Sequence, residues 1–160
     1  MHDSVMRWVR KKVREHDLRD LNVLEVGSYD ENGSVRSMFT GGYLGVDMRD
    51  GPGVDRVADA SALPFGIESF DFVISTEMLE HDKTFWLSMR EMGRVLKPGG
   101  LLLITTRGNG FPLHAYPDDY FRFMPSAAPL LLELASCDVV ETLEDPDPQA
   151  PGIFALGRKR

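Results

Sequence analysis

The sequence is poor in cysteine, with Cys137 as the single thiol among 160 residues. One thiol cannot build an intramolecular disulfide framework or a cysteine-rich zinc site. The sequence also has no apolar run that approaches the length of about 18 residues required for a membrane span. Residues 1–14 lack the apolar centre of a secretory signal. These absences predict a protein of the reducing cytoplasm that has no membrane span.

Positive charge is in the minority, because 18 Lys and Arg stand against 25 Asp and Glu, which gives a net charge of -7. Such a surface repels phosphate backbones, so we expect a small-molecule or protein substrate rather than nucleic acid. Internal repeats, low-complexity tracts and linkers are missing as well. The length and an ordinary hydrophobic fraction of 42% therefore predict one folded domain over residues 1–160.

Residues 1–18 are the exception to the acidic composition, and they are predicted to form a helix. Basic and apolar side chains alternate there at helical spacing: Arg7, Arg10, Lys11, Lys12 and Arg14 beside Val5, Met6, Trp8, Val9 and Val13. This pattern favours a helix that packs its apolar side on the domain, with Asp3 or Ser4 as N-cap. Contact with an acidic partner or a membrane surface is the alternative.

Short apolar runs predict buried strands at residues 22–26, 43–46, 54–58, 70–75 and 101–105. Helices are predicted between and after them at residues 33–39, 83–96 and 125–136, with a short turn at 63–68 and a Pro-Gly turn at 97–100. Residues 138–143 and 153–158 indicate an antiparallel hairpin at the sheet edge. The alternation is typical of a doubly wound α/β sheet, whose ligands bind beyond the carboxyl ends of the strands.

The first predicted strand runs into a turn of the kind that binds nucleotides. Gly27 and Ser28 follow the strand, and the chain reaches Gly33 where the next helix is predicted to begin. Tyr29 occupies the position of the second glycine in the dinucleotide-binding pattern, and residues 30–32 lengthen the turn. The motif alone does not identify the ligand.

Asp47 follows Gly27 after about twenty residues, where an acidic side chain can accept hydrogen bonds from both ribose hydroxyls. A nicotinamide-dependent dehydrogenase would show the same pair. The turn, however, carries Glu25, Asp30 and Glu31, which would repel a pyrophosphate and suit a ligand with an ammonium and a sulfonium group. The sequence therefore favours S-adenosylmethionine over a dinucleotide.

Five segments resemble, in order and spacing, the motifs of class I methyltransferases, particularly the type 11 methyltransferase domain. They are VLEVG at residues 23–27, LGVD at 44–47, DASALPF at 59–65, FDFVI at 70–74 and VLKPGG at 95–100. The resemblance covers most of the chain. It implies a Rossmann-like, doubly wound and mostly parallel seven-stranded sheet with a C-terminal antiparallel hairpin and helices on both faces. The longer turn after Gly27 departs from the family's glycine pattern and leaves the contacts of residues 28–32 open.

The resemblance also implies roles for individual residues toward S-adenosylmethionine. They are Glu25 near the methionine ammonium, Gly27 and Ser28 at the cofactor turn, Asp47 on the ribose, Met48 against the adenine, Asp59 and the Ala60 amide on the adenine edge, and Ser75 and Thr76 at the methyl end. A solvated carboxylate at the strand end is the alternative for Glu25, and a core side chain is the alternative for Met48.

The loop after the fifth strand supplies candidates for the methyl acceptor. It resembles the His-x-Tyr-Pro-x-Asp-Tyr-x-Arg-Phe stretch of a subset of type 11 methyltransferases, some encoded near saccharide-biosynthesis functions. The substrate candidates there are Tyr116, Asp119, Tyr120 and Arg122. The alternative is structural, with the aromatic side chains anchored in the core and Arg122 paired with Asp118 or Asp119.

Methyl transfer from a sulfonium requires that the acceptor be held in line with the methyl group and lose its proton. For a hydroxyl acceptor, His114 or His81 is the candidate base, since imidazole titrates near neutral pH. His81 could instead orient its loop. No metal ligand set is predicted.

The leading functional hypothesis is therefore methyl transfer from S-adenosylmethionine to oxygen, less favourably nitrogen, of a small molecule or saccharide. A non-catalytic paralogue that binds cofactor or partner is the alternative, because the chain is short and its cofactor turn is unusual. A nicotinamide-dependent oxidoreductase ranks third, since Asp47 alone is compatible with it. The sequence leaves open whether a homodimer completes the substrate pocket.

Overall fold

The computed structural model describes residues 2–114 and 118–160, whose strands form one mixed seven-stranded sheet. The strands are β1 (Val23–Val26), β2 (Tyr43–Asp47), β3 (Arg56–Val57), β4 (Phe70–Thr76), β5 (Leu96–Arg107), β6 (Cys137–Glu144) and β7 (Gly152–Lys159). Their spatial order is β3-β2-β1-β4-β5-β7-β6, with β7 antiparallel to both β5 and β6. The predicted Rossmann-like sheet with a C-terminal antiparallel hairpin is confirmed.

The order of the strands reverses at β1, which pairs in parallel with β2 on one side and with β4 on the other. Ligands of such sheets bind in the crevice outside the strand ends at this reversal. The residues that end the three strands, Val26, Asp47 and Thr76, therefore lie at the edge of the sheet where a site is expected.

Helices cover both faces of the sheet: α1 (Asp3–Glu15) on one, and α2 (Phe85–Val95) and α3 (Ala127–Leu134) on the other. Trp8 of α1 is 5% exposed and lies with its ring centroid 5.0 Å from that of Phe154. Met92 and Leu131 join the core of the opposite face. Among the described residues, the structure has no helix with the length and apolar character needed to cross a bilayer.

One predicted helix is wrong: residues 33–39 contain only a 3₁₀ turn, Arg36–Met38. The lengthened turn after β1 uses residues that a helix would need, and Gly33 lies at φ +120°. The segment still packs on the sheet face that carries α1, since Val35 and Phe39 belong to the same apolar cluster as Trp8 and the Phe39 ring centroid lies 5.8 Å from that of Phe72.

Other predicted boundaries shift by a few residues. The strand predicted at 54–58 contracts to β3, and α2 and α3 are shorter than their apolar patterns. The turn predicted at 97–100 lies within the first part of β5, where the pairing with β4 is irregular. At the start of α1, neither predicted N-cap acts as one, because His2 holds that position and Ser4 donates to Asp145 Oδ2 at 2.9 Å.

Candidate active site

A cavity of about 580 Å³ opens at the carboxyl ends of β1, β2 and β4, a volume within the range of small-molecule sites. Most of the predicted site residues line it: Glu25, Gly27, Ser28, Asp47, Met48, Asp59, Ala60, Thr76, His81, His114 and Tyr120. Ser75 does not line it, because successive strand residues face opposite sides and Thr76 takes the cavity side. One hollow therefore holds both the cofactor candidates and the two histidines.

Glu25 is a buried carboxylate rather than the solvated one of the alternative interpretation, with 2% of its surface exposed. Its Oε2 accepts a hydrogen bond of 2.6 Å from the Tyr43 hydroxyl. Burial raises the pKa of Glu25 to about 7, against the opposing effect of that hydrogen bond. A desolvated carboxylate on a cavity wall is a strong site for a cationic group. Tyr43, which sequence reasoning missed, holds it in place.

The turn after β1 requires glycine at its first position. Gly27 lies at φ +82°, and a Cβ atom there would stand 2.6 Å from Met78 Cγ. Ser28 follows, 3% exposed, and its Oγ has no hydrogen-bond partner within the described part of the chain. Glycine is therefore required at position 27 by its backbone angle and by the close approach of Met78, and Gly27 and Ser28 both line the cavity.

Asp47 is fixed at the cavity edge by two backbone groups. Its Oδ1 accepts from the Arg49 N–H at 2.9 Å, and its Oδ2 accepts from the Tyr29 N–H at 3.4 Å. The Arg49 guanidinium lies 4.5 Å from the centroid of the Tyr29 ring, so the tyrosine that replaces a glycine has a structural contact of its own. Met48 is 69% exposed beside the cavity, which excludes the alternative of a core side chain.

Asp59 caps the 3₁₀ turn that places Ala60 on the cavity wall. Its Oδ1 accepts from the Ser61 hydroxyl at 2.7 Å and from the Ser61 N–H at 2.8 Å. These hydrogen bonds hold the pKa of Asp59 below its usual value. Asp59 therefore has a local structural role in addition to its position on the wall.

His81 and His114 meet edge to face, with ring centroids 4.7 Å apart. His81 Nδ1–H donates to the Asp118 carbonyl at 2.5 Å, which supports the alternative that His81 orients its loop. The His114 N–H donates to Asp119 Oδ2 at 2.8 Å, and its ring Nδ1 lies 3.2 Å from the same oxygen. Burial, with the neighbouring His81, lowers the pKa of His114, so its ring is neutral near pH 7.

Asp119 and Arg122, which are predicted to contact substrate, lie outside the cavity wall and instead clamp their loop. Arg122 donates to both carboxylate oxygens of Asp119 and to the carbonyls of Phe111 and Pro112. The Arg122 guanidinium holds the pKa of Asp119 well below its usual range. The structural alternative thus describes this pair. Tyr116 lies outside the described residues.

Tyr120 remains at the cavity, where its hydroxyl donates to Asp118 Oδ2 at 3.0 Å. Its backbone N–H donates to the Glu80 carbonyl at 2.8 Å, which ties the loop after β5 to the segment after β4. This tie brings the two histidines together.

Sequence reasoning missed a charged cluster buried behind the histidines. Arg107, fully buried, donates to Glu77 Oε1 at 2.7 Å and to Asp145 Oδ2 at 3.3 Å. Glu80, also fully buried, accepts from Thr106 Oγ1 at 2.6 Å. Charged residues directly after apolar strands, Glu77 and Glu80 after β4 and Arg107 at the end of β5, were the available signal.

Comparison with known proteins supports the resemblance to methyltransferases. A family model described as a methyltransferase domain matches residues 44–104. The demethylmenaquinone methyltransferase of Clavibacter sepedonicus is 36% identical over 106 residues, covering 64% of this chain and 43% of that protein. Phthiotriol/phenolphthiotriol dimycocerosates methyltransferase 1 of Mycobacterium ulcerans is 36% identical over 104 residues, covering 56% and 38%. The chain thus spans less than half the length of these two relatives.

Among solved structures, the Burkholderia thailandensis 1,6-didemethyltoxoflavin-N1-methyltransferase superposes with a TM-score of 0.78 at 20% identity, covering 96% of this chain and 77% of that one. That structure contains 1,6-didemethyltoxoflavin and S-adenosylhomocysteine. At this identity the similarity shows the fold. Taken with the strand order and the methyltransferase domain matched at residues 44–104, it shows that the chain has the fold of the class I S-adenosylmethionine-dependent methyltransferases.

Proposed function

We propose that the chain transfers a methyl group from S-adenosylmethionine to oxygen, or secondarily nitrogen, of a small molecule or saccharide. The observation that carries the proposal is a single cavity whose wall includes Glu25 and Asp47 together with His81 and His114. Donor and acceptor can then occupy one hollow, as a displacement in line requires. S-adenosylmethionine, the cofactor of the family, supplies the methyl group when bound.

The electrostatics of the cofactor turn support a cationic ligand. The buried Glu25 carboxylate suits the methionine ammonium, and Asp47 suits the ribose hydroxyls. A pyrophosphate usually binds at the N-terminus of a full helix, whereas the segment after this turn forms only the Arg36–Met38 3₁₀ turn. This local structure adds to the case against a nicotinamide dinucleotide.

The acceptor's proton is the second requirement. As the acceptor oxygen bonds to the methyl carbon and the sulfur–methyl bond breaks, the hydroxyl proton passes to a base, and S-adenosylhomocysteine leaves. We assign His114 as that base, with His81 as the second candidate. The neutral His114 ring is on the wall, and the Asp119–Arg122 clamp holds the backbone beside it.

The setting that we propose is the cytoplasm, with residues 1–160 acting as one domain on acceptors other than nucleic acid. Burial raises the pKa of the Cys137 thiol to about 11, so this thiol stays protonated and unreactive at neutral pH. A homodimer that completes the acceptor pocket is part of the proposal to be tested by sedimentation.

The test combines binding and turnover. Calorimetry with S-adenosylmethionine and S-adenosylhomocysteine should give binding that Asp47→Asn weakens, because Asn offers the ribose only one acceptor oxygen. Incubation with labelled cofactor and an extract rich in sugars and nucleotides should then yield a product heavier by one methyl group. Binding without any methylated product would favour the non-catalytic paralogue, and no binding of either compound would overturn the cofactor assignment.

A further inference from the structure

Three potential metal ligands converge behind the acceptor side of the cavity, although the sequence predicted none. Glu80, His81 and His114 each offer one ligand atom, and these atoms all lie within 4.8 Å of one another. Glu80 and His81 follow β4 and His114 follows β5, so the sheet brings them together. Two imidazoles and one carboxylate are a donor set that binds Zn²⁺ and other divalent transition metals.

Glu80 supplies independent support, because one of its oxygens is unsatisfied. The side chain is fully buried, and Oε2 accepts from Thr106. Oε1 has no hydrogen-bond partner among residues 2–114 and 118–160, and it lies 4.0 Å from His81 Nε2. Leaving a buried carboxylate oxygen without a partner is unfavourable, and a bound cation would satisfy it.

The orientation of His81 also fits a ligand. A carbonyl oxygen can only accept, so the bond to Asp118 places the proton of a neutral ring on Nδ1 and leaves the lone pair on Nε2 toward Glu80. Histidines that bind metals characteristically donate their other ring N–H to such a carbonyl or carboxylate.

The surrounding charges favour a cation as well. Arg107 contacts both Glu77 and Asp145, so its single positive charge is already opposed by two carboxylates. Glu80 is a third carboxyl group, and burial together with the charge on Glu77 raises its pKa to about 8. Among the described residues, the cluster thus holds three carboxyl groups and one guanidinium.

We propose that Glu80, His81 and His114 bind one divalent transition-metal ion on the wall of the acceptor cavity. The site goes beyond the proposed function, since cofactor binding does not require it. His81 and His114 line the cavity, so an acceptor held there would lie next to the ion. A hydroxyl bound there loses its proton more readily, so His114 is a ligand when the ion is bound and the base when the protein is free of metal.

The test uses Zn²⁺ as the probe on the full chain after treatment with a chelator. Calorimetry should show one Zn²⁺ bound per chain, and Co²⁺ should give the visible absorption of a nitrogen- and oxygen-ligated ion. Glu80→Gln and His114→Ala should each weaken Zn²⁺ binding by at least about tenfold. His16→Ala, at the end of α1 and off the cavity wall, should leave it unchanged.

The outcomes separate this inference from the proposed function. Absence of Zn²⁺ binding, or binding that survives both variants, as it would at Cys137, overturns the metal site. Affinity for S-adenosylmethionine, measured on the same samples, reports on the cofactor site alone. Gln at position 80 retains an acceptor for Thr106, and His114 is partly exposed, so circular dichroism should show both variants folded.

Discussion

At the residue scale, the burial of Glu25 ties cofactor binding to pH. The carboxyl has a pKa of about 7 in the free protein because it is desolvated. An ammonium group placed beside it favours the ionised form, so binding releases a proton. We expect the Kd for S-adenosylmethionine to fall as pH rises from about 6 to 8, by up to about tenfold per pH unit below the pKa. Calorimetry across this range measures it.

The matched variant is Glu25→Gln, which cannot ionise and should bind weakly with little pH dependence. Tyr43→Phe removes the hydrogen bond that opposes the effect of burial, so the rise in affinity should move to higher pH. A wild-type Kd that is flat over the same range contradicts the placement of Glu25 at the ammonium.

The raised pKa of Glu25 also predicts how the stability of the cofactor-free protein depends on pH. Below about pH 4.5 it is neutral in both folded and unfolded states; above about pH 7 it is ionised in both, and only the folded state suffers the desolvation. Stability is therefore lost as pH rises through this window. Glu25→Gln should be more stable than wild type at pH 8 by up to about 3 kcal/mol, and the two should converge near pH 4 in urea titrations.

The role of His114 can be tested by the rate of methyl transfer and its dependence on pH. In buffer containing a chelator, His114→Asn should lower kcat by about 10²- to 10⁴-fold, because the acceptor's proton loses its base. The wild-type rate should rise with pH to a plateau below about pH 7, since the pKa of His114 is lowered. The variant should lose this rise while keeping its affinity for S-adenosylmethionine.

His16→Asn is the control for that substitution, because His16 ends α1 and does not line the cavity. Unchanged turnover of His114→Asn over the whole pH range would remove His114 as the base and leave His81 and His2 as the other imidazoles on the wall.

At the scale of elements, α1 is held on the sheet by its buried apolar side chains. Trp8 packs on Phe154, and Val5 and Val9 are fully buried. Trp8→Ala should therefore destabilise the fold by about 3–5 kcal/mol, as for other large buried side chains. Arg7→Ala on the exposed side should change the free energy of unfolding by less than about 0.5 kcal/mol. Similar urea midpoints for the two variants would show that α1 is dispensable.

The missing helix also shows what the sequence could not predict. The pattern at residues 33–39 is weakly helical, and whether it folds as a helix depends on which segment covers the adjacent sheet face. Val35 and Phe39 pack in one cluster with Trp8 of α1, and such a tertiary contact cannot be inferred from the local sequence. Strands β4 and β5 were predictable because their apolar runs are buried on both faces whatever covers them.

At the scale of the whole molecule, the order of the motifs was enough to predict the sheet and the position of the cavity. The positions of Asp47 and Asp59 on the cavity wall could be predicted because each residue lies at or just after the end of a strand. Glu77, Glu80 and Arg107 could be noticed as charged residues at the ends of apolar strands, but their grouping could not be predicted, since only the sheet register joins the end of β4 to the end of β5. Likewise, nothing local distinguishes Asp119 as a loop clamp from Asp119 as a substrate contact.

The position of β7 has a consequence for how the chain folds during synthesis. This strand is the last in the sequence, yet it lies between β5 and β6, and its Phe154 meets Trp8 near the start. During synthesis, Trp8 of α1 cannot pack against Phe154 until β7 has left the ribosome. Such distant pairings slow folding, so the nascent chain exposes the apolar side of α1 until β7 is available.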